Sequence, residues 1–198
     1  MVTSIYIVGF LVLYFLIVFI LPSIRVKRKT GINPYVFKNT ESAHDFLGKV
    51  SAPITSLIFI VALVNLLYPE GLLYFAPFAW LEISILKYSG LVIIHLALFW
   101  IIIAQIQMSN SWRVGIDHSA KTELKTNGLF SVSRNPVFLG MLVTLAGVFL
   151  IFPNAITLLV FVSSTLLFQV QVRLEEEYLN SVHADTYLHY CTKVHRWI

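Results

Sequence analysis

The 198-residue chain has a single cysteine, Cys191, and charged side chains make up only 12% of it. One cysteine excludes an intrachain disulfide and any cysteine-based metal cluster. Soluble domains carry about 25% charge. So little of it here, with 58% hydrophobic residues and a mean hydropathy of +0.80, excludes a water-facing fold. A domain of this length cannot bury that much apolar surface, so lipid must cover the rest. Motifs with a fixed local spelling are also missing: there is no HExxH and no Walker-type phosphate loop. His183, His189 and His195 fall six apart, which spreads them around a helix, so no metal is expected. No Ser-His-Asp arrangement can be argued, no inverted repeat of the transporter kind is visible, and no nucleic-acid partner is expected.

What the chain does have is a series of apolar runs near the roughly 20 residues that a membrane-spanning helix needs. They cover about 5–21, stopping at Pro22, then 53–68, 84–105, 136–152 and 155–171, the last two joined tightly at Pro153-Asn154. The pattern predicts an all-α polytopic transmembrane helical bundle of about five spans with a C-terminal amphipathic helix. No basic residue precedes the first run and no small-residue cleavage site comes after it, so it reads as a span and not as a secretory signal. The second run is short, and the alternative for it is a pair of interfacial helices. Residues 71–81 are apolar, aromatic and broken by proline, and are expected in the outer interface.

Basic residues cluster between the runs. Arg25, Lys27, Arg28, Lys29, Lys38 and Lys49 come after the first; Arg113, Lys121, Lys125 and Arg134 after the third; Arg173, Lys193 and Arg196 after the fifth. The opposite side holds Lys87 with Glu70 and Glu82. The positive-inside rule then puts the N-terminus outside and the C-terminus, with the polar loops, in the cytoplasm. Two parts are expected within one structural domain. Residues 1–110 hold three spans and a basic cytoplasmic loop; residues 111–198 hold a cytoplasmic loop, the hairpin of the last two spans and the C-terminal helix.

Chemistry is expected at the inner ends of the spans. Asn127-Gly128 is a turn signal. Asn135 can cap the fourth span and Pro136 suits its first turn, which leaves a helix N-terminus with partial positive charge beside Arg134. Such a place can hold a carboxylate or phosphate; the plainer reading is a helix start with an anchoring arginine. Where the fifth span ends, Arg173 leads into Glu175, Glu176 and Glu177, and Arg173 and Glu177 are spaced to pair. A solvated helix extension is the plainer reading there. The tight hairpin brings this acidic group toward the helix start at Arg134. Residues 182–198 place Val182, Tyr187, Tyr190, Cys191, Val194 and Trp197 near helical spacing, an amphipathic helix that either roofs a pocket or only anchors. Within the spans, Asn65, His95, Gln105 and Thr144 are polar. His95 is a candidate for substrate contact by its depth, or else an interhelical hydrogen-bonding group. Gly140 and Gly147 share one face and permit close helix packing.

The pattern Gly128-x-Phe130-x-x-x-Arg134-Asn135-Pro136-x-Phe138-x-Gly140, with Arg173-x-Glu175-Glu176-x-x-Leu179 and Tyr187-x-x-Tyr190, resembles the C-terminal signature of the isoprenylcysteine carboxyl methyltransferase and phospholipid methyltransferase group. The similarity covers about 112–198. The group's usual His before the proline is Asn135 here, its usual Tyr is Phe138, and its usual Phe-Gly ahead of the tyrosine pair is His183-Ala184. The resemblance implies an integral membrane enzyme that uses S-adenosylmethionine, with the cofactor pocket at the cytoplasmic ends of the last two spans. Arg134, Asn135, Pro136, Phe138, Leu139 and Gly140 are the implied cofactor contacts on one side; Glu175, Glu176, Tyr187 and Tyr190 are those on the other. Arg173 and Glu176 are the implied catalytic pair. Arg173 would anchor a substrate carboxylate, with His95 also on the substrate side. The implied acceptor is a lipophilic or prenylated molecule taken from membrane lipid, carboxylate favoured, with a lipid amine or thiol second. From other classes stand a nicotinamide-using enzyme of the sterol-reductase type and a non-catalytic membrane scaffold.

Overall fold

The computed structural model describes residues 2–37, 40–116 and 123–198; Lys38 and Lys121 of the basic loops lie outside them. Among the described residues the regular elements are helices, and β pairing is limited to two isolated bridges. Helix α1 (Val2–Phe15) runs through a π turn (Leu16–Ile20) into α2 (Leu21–Thr30) as one rod. The run expected to stop at Pro22 therefore does not stop there. Pro22 has no N–H for the carbonyl of Val18, four residues back. The π turn widens the ladder at that point, with the Leu21 N–H bonded to the Leu16 carbonyl. Gln105 Nε2 from another helix donates to the Val18 carbonyl at 2.7 Å. With its orphaned carbonyl satisfied, the helix passes the proline in apolar surroundings. It ends at Gly31, whose left-handed φ of 72° lets its N–H close on the Lys27 carbonyl.

Helix α3 (Ala43–Leu67) begins ten residues before the expected span. Ser42 caps it by accepting the Asp45 N–H, and Pro53 lies inside it. One continuous helix replaces the alternative of two interfacial ones. Residues 71–81 form no long helix: they run through two 3-10 turns, Pro69–Phe75 and Ala79–Leu81, with residues 76–78 between them. These turns are stitched to the next hairpin by Phe78 N–H to the Pro153 carbonyl (2.8 Å) and Ala155 N–H to the Ala76 carbonyl (3.2 Å). Helix α4 (Ser84–Met108) comes next, then α5 (Pro136–Ile151) and α6 (Ala155–Lys193). Asn154 starts α6 with a capping box, accepting the Ile156 and Thr157 N–H groups at 3.0 Å each.

Among the described residues four helices are long and apolar enough to cross a membrane: Thr3–Thr30, Ala43–Leu67, Ser84–Ser111 and Ala155–Lys193. Helix α5 is apolar with 16 residues, about 24 Å at 1.5 Å per residue, so the fourth expected span is the shortest. The chain is an all-α polytopic membrane bundle. The apolar part of α6, residues 155–172, is about 27 Å long, close to the hydrocarbon thickness, and the remainder of that helix is polar.

Helices α4 and α5 form the tightest seam. A Cβ on Gly90 would stand 2.7 Å from the Gly147 carbonyl oxygen, and one on Gly140 would stand 2.4 Å from Ile101 Cγ1. Ile94, Leu98, Ile101, Val137, Met141, Leu145 and Val148 are buried along it. At its polar end Trp100 Nε1 donates to the Pro136 carbonyl at 2.9 Å. Gly90→Ala is therefore expected to cost about 1–3 kcal/mol through a backbone clash that no side-chain rotation relieves. Gly9→Ala, where nothing lies within 4 Å of the added atom, should be neutral or slightly stabilising. Thermal unfolding of both variants in one detergent checks the pair.

Candidate functional site

The polar continuation of α6 does not run straight into solvent. At Ala184 the backbone has φ 43° and ψ −122°, a region that non-glycine residues rarely adopt. This is the position where the methyltransferase signature carries its usual glycine. The break splits α6, and the segment after it returns to the start of α5. Tyr187, Tyr190 and Val194 are buried there as a small cluster of their own. The tail is thus helical only to Lys193, and Trp197 lies beyond the helix.

The returning segment closes on the residues ahead of α5 through a set of hydrogen bonds. Tyr190 Oη donates to the Phe130 carbonyl at 2.5 Å. The Arg134 N–H donates to the His195 carbonyl at 3.0 Å. Asn135 Nδ2 donates to the Arg196 carbonyl at 3.1 Å, and Ser133 Oγ reaches the same oxygen at 3.4 Å. Asn135 was expected to cap α5, but no side chain caps that helix; the Asn135 amide is spent on the C-terminal strap instead.

An ion cluster lies at the centre. Arg134 Nη2 is 3.0 Å from Glu176 Oε1, and Arg196 Nη2 is 2.7 Å from Glu176 Oε2. Arg196 Nε lies 3.1 Å from both carboxylate oxygens. The Arg134 and Glu176 side chains are 12% and 13% exposed, and that of Arg196 is 33% exposed. The acidic group and the helix start thus meet where the hairpin topology points, at the Arg134–Glu176 pair. The hydrogen bonds to Glu176 raise the Arg196 pKa. Burial, and then the neighbouring charge of Glu176, pushes Glu175 up to about 7. Burial holds Tyr190 up at about 12 and also raises Tyr187, with the charge of Glu176 adding to the latter. Arg134 Nε and Tyr187 Oη are buried without a hydrogen-bond partner.

The other expected residues are less concentrated. Pro136 is fully buried at the first turn of α5. Phe138 packs on Phe168 of α6 with ring centroids 5.1 Å apart, and Leu139 is partly buried beside it. Gly140 faces α4 and serves close packing. Arg173 does not pair with Glu177. Side chains on a helix lean toward its N-terminus, and Arg173 reaches back one turn to the Gln169 carbonyl and Oε1 at 2.7 and 2.8 Å. It is exposed, one turn before Glu176. His95 is not in the cluster. It lies mid-way along α4, about 20 Å by axial rise from that helix's end at Met108. There it bonds Tyr6 Oη and the Leu91 carbonyl, each at 2.6 Å, beside a cavity of about 390 Å³ lined by Tyr6, Leu91, Val92 and Leu96. A second cavity of about 400 Å³ borders the tail, lined by Thr126, Ser131, Thr186, His189, Tyr190, Lys193 and Val194. Arg196 was missed as a site residue. In sequence it is one more cation, and no local spacing announces a contact twenty residues away.

Fold and site together define a polytopic helical membrane protein with an arginine–glutamate cluster where its last two helices meet at their polar ends. The phospholipid methyltransferase family profile matches residues 71–186. The chain belongs to this family of membrane methyltransferases. The match begins in the 3-10 turns ahead of α4, well before the signature motifs that open at Gly128, and runs just past the break at Ala184. No curated protein and no solved structure matches the chain.

The geometry has two consequences for stability. Ala184→Gly removes a strained conformation worth about 1 kcal/mol or more, so it should raise the unfolding temperature. Glu175 has a folded pKa above its unfolded value, so its contribution to stability is present below about 4.5 and lost as pH rises through about 7. Glu175→Gln should accordingly be more stable than the parent at pH 8 and nearly equal to it at pH 4.5, read by thermal unfolding at the two pH values.

Proposed function

We propose that this chain transfers a methyl group from S-adenosylmethionine to a lipophilic acceptor at the polar ends of α5 and α6. The observation that carries the proposal is the Glu176 cluster, lodged where the family signature puts its cofactor. The cofactor's amino-acid end bears an ammonium and a carboxylate, and the residues present fit both. Glu176 and its neighbour Glu175 suit the ammonium. Arg134, with a buried Nε that lacks a partner, and Tyr187, with a buried unpartnered hydroxyl, suit the carboxylate and the ribose. Asn135, Pro136, Phe138, Leu139 and Gly140 supply the helix-start side, and Tyr190 the wall behind. The bound cofactor supplies a methyl group already activated on a sulfonium, so little charge develops on transfer. The work left to the protein is to orient the acceptor, keep water out and, for some acceptors, take a proton.

Two acceptor classes compete. A lipophilic carboxylate needs no general base, and Arg173, exposed at the boundary of the apolar part of α6, is its proposed anchor. A lipid amine must lose a proton, and Glu175, raised to about 7, has the pKa a general base needs near neutral pH. The family's phospholipid description favours this second reading. A headgroup with both phosphate and amine would engage Arg173 and Glu175 together. His95 with Tyr6 is proposed to touch the apolar body of the acceptor on its way through the bilayer. The site is proposed to be cytoplasmic, with the N-terminus outside. In support, Arg134, Arg196 and the basic end of α2 (Lys27, Arg28 and Lys29) belong to one end of the bundle: Arg25 of α2 bonds the Gln105 and Ser109 carbonyls at the end of α4. Residues 1–110 and 111–198 are proposed to act as one structural domain.

Purified protein should bind S-adenosylhomocysteine by calorimetry and transfer labelled methyl to one member of a panel of prenylcysteine, lipid-amine and lipid-thiol acceptors. Absence of binding at millimolar ligand would sink the cofactor reading. Arg173→Ala should lower carboxylate turnover more than cofactor affinity. Glu175→Gln should lower amine turnover about 10²–10⁴-fold while sparing a carboxylate acceptor.

A further inference from the structure

The C-terminal strap brings a residue to the site that no motif marks. We infer that Arg196 is a positioning residue: its guanidinium fixes the orientation of the Glu176 carboxylate, the group proposed to meet the ammonium end of the cofactor. The ligand side of this inference rests on the proposed methyltransferase reading; the contact itself does not.

An ionised carboxylate offers about four acceptor positions. Arg134 Nη2 takes one on Oε1. Arg196 approaches side-on, with Nε shared between the two oxygens at 3.1 Å each and Nη2 on Oε2 at 2.7 Å. Together with Arg134, these contacts put two donors on each oxygen, so the carboxylate is held from both sides. Arg134 alone would leave the carboxylate free to turn, because the last torsion of a glutamate is broad. A planar fork removes that freedom, and an ammonium in its place would not.

Arg196 is itself held. Its carbonyl accepts from Asn135 Nδ2 and Ser133 Oγ, and the preceding carbonyl, of His195, accepts from the Arg134 N–H. The residues that open α5 thus grip the strap by its backbone and meet its side chain again at Glu176. The arrangement also separates two neighbouring carboxyls. Glu176 carries both guanidinium partners, whereas Glu175 has neither and burial raises its pKa to about 7. In this division Glu176 orients and Glu175 takes protons.

The test uses the full chain in detergent, with S-adenosylhomocysteine as probe. Arg196→Gln should weaken binding at least tenfold at neutral pH. Arg196→Lys restores the charge without the fork; it should recover only part of the affinity. A thermal double-mutant cycle of Arg196→Gln with Glu176→Gln, read without any ligand, should be non-additive. An additive cycle, or an Arg196→Gln protein with parental affinity, overturns the inference. A non-additive cycle in a protein that binds no S-adenosylhomocysteine overturns the cofactor reading and upholds the link between Arg196 and Glu176.

Discussion

A carboxylate between two guanidiniums, Glu176 with Arg134 and Arg196, joins three segments that are distant in sequence: the entry to α5, the polar continuation of α6 and the C-terminal strap. Its position explains why it must be so well satisfied. Glu176 stands one turn beyond an apolar stretch long enough to span the bilayer, where an unpaired charge is costly. Each guanidinium lowers that cost, and each is tethered by its own backbone. The strained backbone at Ala184 belongs to the same arrangement, because only a sharp break returns the chain far enough for Arg196 to reach Glu176. Local strain and a long-range ion cluster are two sides of one closure.

The same demand for satisfied polar groups shapes the other end of the sequence. Pro22 leaves the Val18 carbonyl without its helical donor, and in hydrocarbon no water can replace it. Gln105 supplies the donor from α4. A proline that would end a helix in water thereby ties the first rod to the helix that also packs α5. Arg25 adds to the tie by donating to the carbonyls of Gln105 and Ser109 at 3.1 and 3.4 Å. A run of contacts leads from α1 through α4 to the start of α5, and so to the site.

The features legible in the sequence are those set by local rules. Apolar length placed both ends of α4 and of α5, and the start of α6, within a few residues, while α6 runs on well past the expected end at 171. Glycine spacing marked the α4–α5 seam, and the shortness of the Pro153-Asn154 turn implied that Arg134 and Glu176 would approach. What the sequence hid depends on a partner from elsewhere. Pro22 looked like a stop because Gln105 is eighty-three residues away. The start of α3 was missed because Ser42 and Asp45 cap it through polar residues that do not register as a span. Arg173 was assigned to Glu177 by spacing that suits either direction along a helix, and the lean of helical side chains decided for Gln169. Arg196 was counted only as charge. His183-Ala184 stood out as a departure from the signature, and the break at Ala184 gives the reason a glycine is usual there.

Two adjacent glutamates would ordinarily compete for the same role. Here the environment divides them. Glu176 has both oxygens engaged by arginines. Glu175, one residue earlier and 100° around the helix, has no such partner, and burial lifts it toward neutral pH. For a carboxylate acceptor the second property has no use, since a carboxylate attacks a sulfonium methyl without losing a proton. For an amine it is what the chemistry needs: a group charged enough at physiological pH to take the proton, and basic enough to hold it. The acceptor question therefore reduces to whether Glu175 titrates during turnover, and the cluster around Glu176 is what leaves Glu175 free to do so.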